Sequence, residues 1–308
     1  MKLENAIEVR NLTKRYEGFY LDHINFQIPQ GTIVGFVGEN GAGKSTTIKA
    51  LLGLMPIDEG EIEVLGHKVV QGEQEVSYKE QVGVVFDECN FPKELKVRDI
   101  CKIMKDIYHT WEEEKFLRYL MRFEVPLEKK VKELSKGMKM KLSIAAALSH
   151  GSKLLILDEA TSGLDPIVRN EILDIFREFI EDEQHTIFFS SHITSDIEKI
   201  ADYVMLIHKG KLLLTENKDE LLYQYGIVRC TKEQAAFIPK ELIVGAEENQ
   251  FETSVLVRDR QALQEGIFME RCSADRETQP VIDKASIEDL LLFLGKENEK
   301  GMGGIEEL

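Results

Sequence analysis

Gly38-Glu39-Asn40-Gly41-Ala42-Gly43-Lys44-Ser45 fits the pattern G-x-x-x-x-G-K-[ST] at every specified position. Its flanks fit as well. The apolar run Ile33-Val34-Gly35-Phe36-Val37 before it predicts a buried strand, and Ile48, Leu51, Leu52 and Met55 after it recur at helical spacing. Strand, glycine turn and helix form the setting in which a P-loop wraps phosphate. The glycines let backbone N–H groups turn inward, and the helix N-terminus adds positive potential. In such a loop Lys44 reaches the β- and γ-phosphates and the Ser45 hydroxyl is offered to Mg²⁺. A chance glycine-rich turn would not bring both flanks with it.

Two further stretches answer to this one. Leu154-Leu155-Ile156-Leu157-Asp158-Glu159 is an apolar run that ends in two carboxylates. A continuous run predicts a strand buried on both faces, as in a parallel sheet, and ligands bind at the carboxyl ends of such strands. Asp158 is thereby placed to hold Mg²⁺, and Glu159 to polarise the attacking water. The strand Thr186-Ile187-Phe188-Phe189 ends at Ser190-Ser191-His192, which makes His192 a candidate for the γ-phosphate. Between them Ala160 to Pro166 forms a turn into a helix with proline at its start. Leu134-Ser135-Lys136-Gly137-Met138 precedes an alanine- and leucine-rich helix, with Ser135 placed as its N-cap.

The rest of the chain frames these motifs. Alternation at Ile7 and Val9, and at Ile24, Phe26 and Ile28, predicts strands before the P-loop. Tyr16 falls in the polar stretch Thr13 to Gly18, expected to be a loop, where its ring could stack on a nucleotide base. The strand Gln81 to Phe86 ends at Asp87 and Glu88. Val97, Ile100, Cys101, Met104, Ile107 and Tyr108 then keep to helical spacing, so residues from about 90 to 150 are expected to be a helical insertion. The nucleotide pattern ends near residue 225. Residues 226–295 carry their own short strands and a closing helix, Ile287 to Leu294. Residues 296–308, rich in glycine and glutamate, are expected to be a disordered tail.

Bulk properties exclude several classes. The 308 residues carry a net charge of −16, which opposes a nucleic-acid partner. The opening residues Met1 to Ala6 lead into no apolar h-region, so no signal peptide is expected, and no apolar run approaches the ~20 residues of a spanning helix. The four cysteines match no zinc or thioredoxin spacing and are expected to be free thiols.

In this order the motifs resemble the nucleotide-binding subunit of ATP-binding-cassette (ABC) transporters, over residues 5–225. The resemblance implies an α/β fold: a P-loop NTPase domain with an N-terminal antiparallel β subdomain, a helical insertion and, here, a small α+β C-terminal accessory domain. Within it Tyr16 looks like the adenine-stacking aromatic, Gly38 to Thr46 like Walker A, Leu134 to Met138 like the signature sequence and Leu154 to Asp158 like Walker B. Glu159 looks like the catalytic glutamate, Ser162 to Asp165 like the D-loop and His192 like the switch histidine. The family implies ATP hydrolysis with Mg²⁺. It also implies head-to-tail pairing with a second copy or a related subunit, in which Ser135 and Gly137 cap the other subunit's γ-phosphate. It further implies an integral-membrane permease that would hold the pair at the cytoplasmic face of the membrane; residues 87–123 are expected to touch it, because the helical insertion starts directly after Asp87.

Two departures stand out. Asp87 occupies the place where the family usually has glutamine, with Glu88 as the rival alignment; either would stand near Mg²⁺. The signature reads Ser-Lys-Gly-Met, the form of bacterial exporters of the ABC-2 type. A soluble relative acting on ribosomes or DNA, a non-hydrolysing sensor and an importer are the competing readings.

Overall fold

The computed structural model describes residues 4–70, 77–249, 252–266, 268, 272 and 279–303. It divides into two compact units, Met1–Thr215 and Glu216–Leu308.

The first unit begins with β1 (Asn5–Tyr16) and β2 (Phe19–Pro29), then β3 (Ile33–Val37) and α1 (Lys44–Leu51). Next come β4 (Glu59–Val64), β5 (His67–Lys68) and β6 (Val82–Val85). Three helices then interrupt the strands: α2 (Val97–Ile107), α3 (Glu113–Arg122) and α4 (Lys136–Ala147). The remainder is β7 (Leu154–Asp158), α5 (Pro166–Ile180), β8 (Thr186–Ser191), α6 (Thr194–Ile200), β9 (Tyr203–His208) and β10 (Lys211–Asn217).

Two sheets result. One is antiparallel, in the order β2-β1-β4-β5. The other is ordered β10-β9-β3-β8-β7-β6, with β6, β7, β8, β3 and β9 parallel to one another. Every residue of β3, β7 and β8 is buried, as their unbroken apolar sequences require of strands covered on both faces. Helices α1, α4, α5 and α6 lie against this sheet. A continuous core joins the two sheets through Phe26 of β2, Phe188 of β8 and Phe36 of β3, with ring centroids 6.0 Å and 5.3 Å from Phe188. Each such ring buried contributes about 1.5–3 kcal/mol.

The polar stretch Thr13 to Gly18 proves to be mostly strand. β1 runs through Tyr16, with Arg15 paired to Tyr20 and Tyr16 to Phe19, so the turn shrinks to Glu17 and Gly18. Gly18 takes the left-handed conformation (φ +80°) that so tight a turn needs.

The second unit contains α7 (Lys218–Gln224), β11 (Gly226–Cys230), α8 (Lys232–Ala235), β12 (Ile243–Glu248) and β13 (Thr253–Val257). It closes with α9 (Arg260–Glu265), β14 (Val281–Lys284) and α10 (Ile287–Gly303). Its sheet, β12-β13-β11-β14, is antiparallel, and α10 lies against β12 and β13. The boundary falls ten residues earlier than the motif pattern suggested, because α7 belongs to this unit. The Tyr225 carbonyl accepts the Ala285 N–H at 3.2 Å, and Tyr223 is hydrogen-bonded to Gln261. Nor does the closing helix stop at Leu294. It continues to Gly303, so residues 296–303, expected to be disordered tail, are helix, and residues 304–308 lie outside those described. All four cysteines are free; burial pushes the Cys230 thiol up to about 11, which keeps it protonated and unreactive.

One buried histidine links the helical insertion to the parallel sheet. His150 is 1% exposed, stacks on Tyr108 at 3.9 Å and hydrogen-bonds through Nδ1 to the Glu80 carbonyl at 2.9 Å. Burial lowers its proton affinity below that of a free histidine. The unfolded chain therefore takes up the proton first, and stability is lost as pH falls below about 6.5. His150→Phe is expected to be less stable at neutral pH but to lose stability more slowly on acidification. The two slopes should differ by up to about 1.4 kcal/mol per pH unit, read by urea unfolding across the acid range.

Candidate functional site

Strands β3, β8 and β7 are neighbours, and their register sets Val37 beside Ser191 and Asp158 beside Ser190. The segments that leave the ends of these strands thus emerge on one rim. After β3 comes the loop Gly38 to Gly43, after β7 Glu159, and after β8 His192.

The loop folds as its glycines demand. Gly43 has φ +115°, and a Cβ there would stand 2.7 Å from the Leu21 side chain; at Gly38 it would meet the Ile207 carbonyl at 2.4 Å. Ala42 N–H closes a turn onto the Glu39 carbonyl at 3.1 Å, and α1 begins directly at Lys44. Gly38, Ala42, Gly43 and Lys44 are buried, whereas Glu39, Asn40, Gly41 and Ser45 are exposed and Thr46 is half-buried.

Lys44 is 5% exposed. Its ammonium donates to the carbonyls of Gly38 at 2.7 Å and Glu39 at 3.2 Å and lies 3.2 Å from Glu159 Oε1. Oε1 is buried and accepts no hydrogen bond, so its tie to Lys44 is one of charge alone. The other carboxylate oxygen, Oε2, lies 2.5 Å from His192 Nδ1. An ionised carboxylate can only accept, so Nδ1 carries the proton. Glu159 holds this bridging position from a left-handed backbone (φ +54°), uncommon for a non-glycine residue and typical of functional sites.

Asp158 is buried, and its Oδ1 accepts the Ser190 hydroxyl at 2.8 Å. Among the described residues no cationic side chain pairs with it. The same Ser190 hydroxyl accepts the Glu159 N–H at 3.2 Å, so one buried serine fixes both carboxylate residues.

A cleft of about 620 Å³ opens at this rim, lined in part by Asn40, Asp87, Glu88, Glu159, Ser162 and His192. Asp87 and Glu88 are both exposed and both face it. Ser135 caps α4, its Oγ accepting the Met138 N–H at 3.2 Å; it is exposed, Gly137 is half-buried, and neither lines the cleft of its own chain. Tyr16 also stands outside the cleft. It is half exposed at the end of β1, with its hydroxyl 3.6 Å from Met55 Sδ and the Lys14 ammonium 5.5 Å from its ring centre. Sequence reasoning missed Ser190, whose only signal is its place at the end of a strand beside Asp158. It also missed Lys93, Lys136 and Lys139, which line the cleft from the helical side.

Residues 21–162 match the ABC transporter family model. The chain is 38% identical over 214 residues to the bacitracin transport ATP-binding protein BcrA of Bacillus licheniformis, covering 68% of this chain and 69% of that one. It is 35% identical over 216 residues to the lantibiotic transport ATP-binding protein SrtF of Streptococcus pyogenes, covering 69% and 91%. Among solved structures, one described as the ATP-binding subunit of an ABC transporter superposes with a TM-score of 0.63 at 28% identity, covering 70% of this chain and 91% of that chain.

Gly43→Ala would strain a left-handed turn and press a methyl against Leu21. We expect a loss of about 1–3 kcal/mol in thermal unfolding and loss of fluorescent-nucleotide binding.

Proposed function

This chain belongs to the ATP-binding subunits of ABC transporters, and we propose that it drives an exporter through the rim residues Lys44, Asp158, Glu159 and His192. It binds and hydrolyses ATP as a transporter subunit. The observation that carries the residue assignment is the chain of contacts from Lys44 through Glu159 to His192. The nucleotide's β- and γ-phosphates take the place that Glu159 Oε1 holds beside the Lys44 ammonium. Freed from Lys44 but still oriented by His192, Glu159 faces the γ-phosphate side and accepts the proton of the attacking water. His192 keeps Glu159 in place through its Nδ1–H; a second N–H toward the phosphate oxygens comes only with the imidazolium form. Backbone N–H groups of Gly41 to Ser45 cradle the phosphates, and positioning supplies most of the rate. Tyr16, near Met55, offers a face to the base.

The site fits Mg²⁺. Asp158 is a buried carboxylate without a cationic partner, and Mg²⁺ is commonly held by one or two carboxylates together with phosphates and water. Asp158 and the Ser45 hydroxyl would hold it, with Asp87 reaching it directly or through water. When bound, the metal neutralises charge that develops between the β- and γ-phosphates.

Two copies, or this chain and a related one, pack head to tail, so that Ser135 and Gly137 at the start of α4 cap the other subunit's γ-phosphate. The signature form Ser-Lys-Gly-Met and the bacitracin and lantibiotic relatives support export, at the cytoplasmic face. Two apolar grooves of about 200 and 230 Å³ flank β6 and share Val84, Phe86 and Tyr108. With the exposed Ile103 and Ile107 on α2, the part of these grooves formed by residues 87–123 supports that stretch as the one that meets the permease. Among the described residues no helix is long and apolar enough to cross a membrane, so that partner would supply the spans.

Glu159→Gln is expected to bind ATP but not turn it over, and to elute as an ATP-dependent dimer in size-exclusion chromatography; a variant that stayed monomeric with ATP would count against head-to-tail pairing. Tagged chain isolated from gently solubilised native membranes should bring a polytopic protein with it. Recovery with ribosomes, or alone from the cytosol, would replace the exporter reading with that of a soluble ATPase.

A further inference from the structure

The helical side of the nucleotide cleft is cationic. Lys93, from the segment after β6, and Lys136 and Lys139, from the first turn of α4, line the same 620 Å³ volume as Asp87, Glu88 and Glu159. Glu159 is already matched by Lys44, and its other oxygen is held by His192. Asp87 and Glu88 are not matched, since no ion pair within 4 Å involves either of them or any of the three lysines among the described residues. The cleft thus holds two uncompensated carboxylates and three uncompensated ammonium groups, in a chain whose net charge is −16. Lys136 is the best placed of the three. Its side chain bends back over the turn after β7, so that a methyl added at Gly163 would meet its Nζ at 2.6 Å. That places the ammonium beside Ser162, which itself lines the cleft.

We propose that Lys136 is a positioning residue that offsets Asp87 within the same chain when nucleotide binds. A carboxylate at Asp87 adds a negative charge where a polyphosphate must enter, and in a cleft with low-dielectric walls that charge is felt more strongly than on open surface. Lys136 lines the same volume and, as nucleotide binds, comes into direct interaction with Asp87 and supplies the missing positive charge. The acid after β6 and the lysine at the start of α4 are then one paired feature. The pairing rests on the nucleotide phosphates occupying the P-loop.

The test is a double-mutant cycle on the full chain, titrated with Mg-ATP at protein concentrations low enough to keep it monomeric. Both side chains are exposed, so the substitutions leave the core untouched. At low salt Lys136→Gln is expected to weaken binding about fivefold, whereas in the Asp87→Asn background the same change costs about twofold or less. Lys136→Arg is expected to restore wild-type affinity, and added salt to shrink the difference between the two backgrounds. Equal losses in both backgrounds, at any salt, would overturn the pairing while leaving the nucleotide site intact. A wild-type chain that bound no Mg-ATP would overturn the site assignment and the pairing together.

Discussion

An ammonium group cannot be taken out of water without partners, and much of the rim is arranged around the burial of Lys44. An isolated buried charge costs several kcal/mol even after relaxation. Two carbonyls of its own loop, at Gly38 and Glu39, and the carboxylate of Glu159 meet that cost. The carbonyls face the ammonium only because Gly38 and Gly43 let the loop turn so tightly. The carboxylate stands in reach only because β7 and β3 are separated by a single strand, β8, in a parallel sheet. The apolar runs of these strands, the glycines of the loop and the left-handed backbone of Glu159 all converge on this one charge.

The parallel core was legible in the sequence because a doubly covered strand leaves a plain trace. Leu154 to Leu157 and Ile187 to Phe189 contain nothing polar, and each run gives way abruptly to polar residues. The N-cap at Ser135 and the proline at the start of α5 were legible for a similar reason, since both are local chemistry. The end of β1 was not. Lys14, Arg15 and Tyr16 read as a loop, but ladder pairing with β2 overrides their polarity: on the exposed side of an antiparallel hairpin charged residues are ordinary strand residues. The extension of α10 to Gly303 escaped for the opposite reason, because glycine and glutamate content does not forbid a helix that a neighbouring sheet has already started.

The site was legible in part. The rim residues Lys44, Asp158, Glu159 and His192 sit at strand ends, where topology alone brings them together. Ser190 needed the register of β8 against β7, which no single stretch of sequence encodes. The lysines of α4 needed the tertiary placement of the helical insertion over the rim.

The insertion leaves the sheet from β6 and returns in β7, and those two strands are hydrogen-bonded neighbours. Seen from the sheet, the three helices between them are therefore a single closed loop whose ends stay one strand spacing apart, about 4.8 Å. Lengthening such a loop adds little to the entropy of closing it. The sheet is accordingly blind to the contents of the loop. Sequence in the outer parts of α2 and α3 is free to diverge, while the rim at the ends of β3, β8 and β7, of which only β7 belongs to that junction, keeps its geometry. One engine can in this way be fitted with many different couplings.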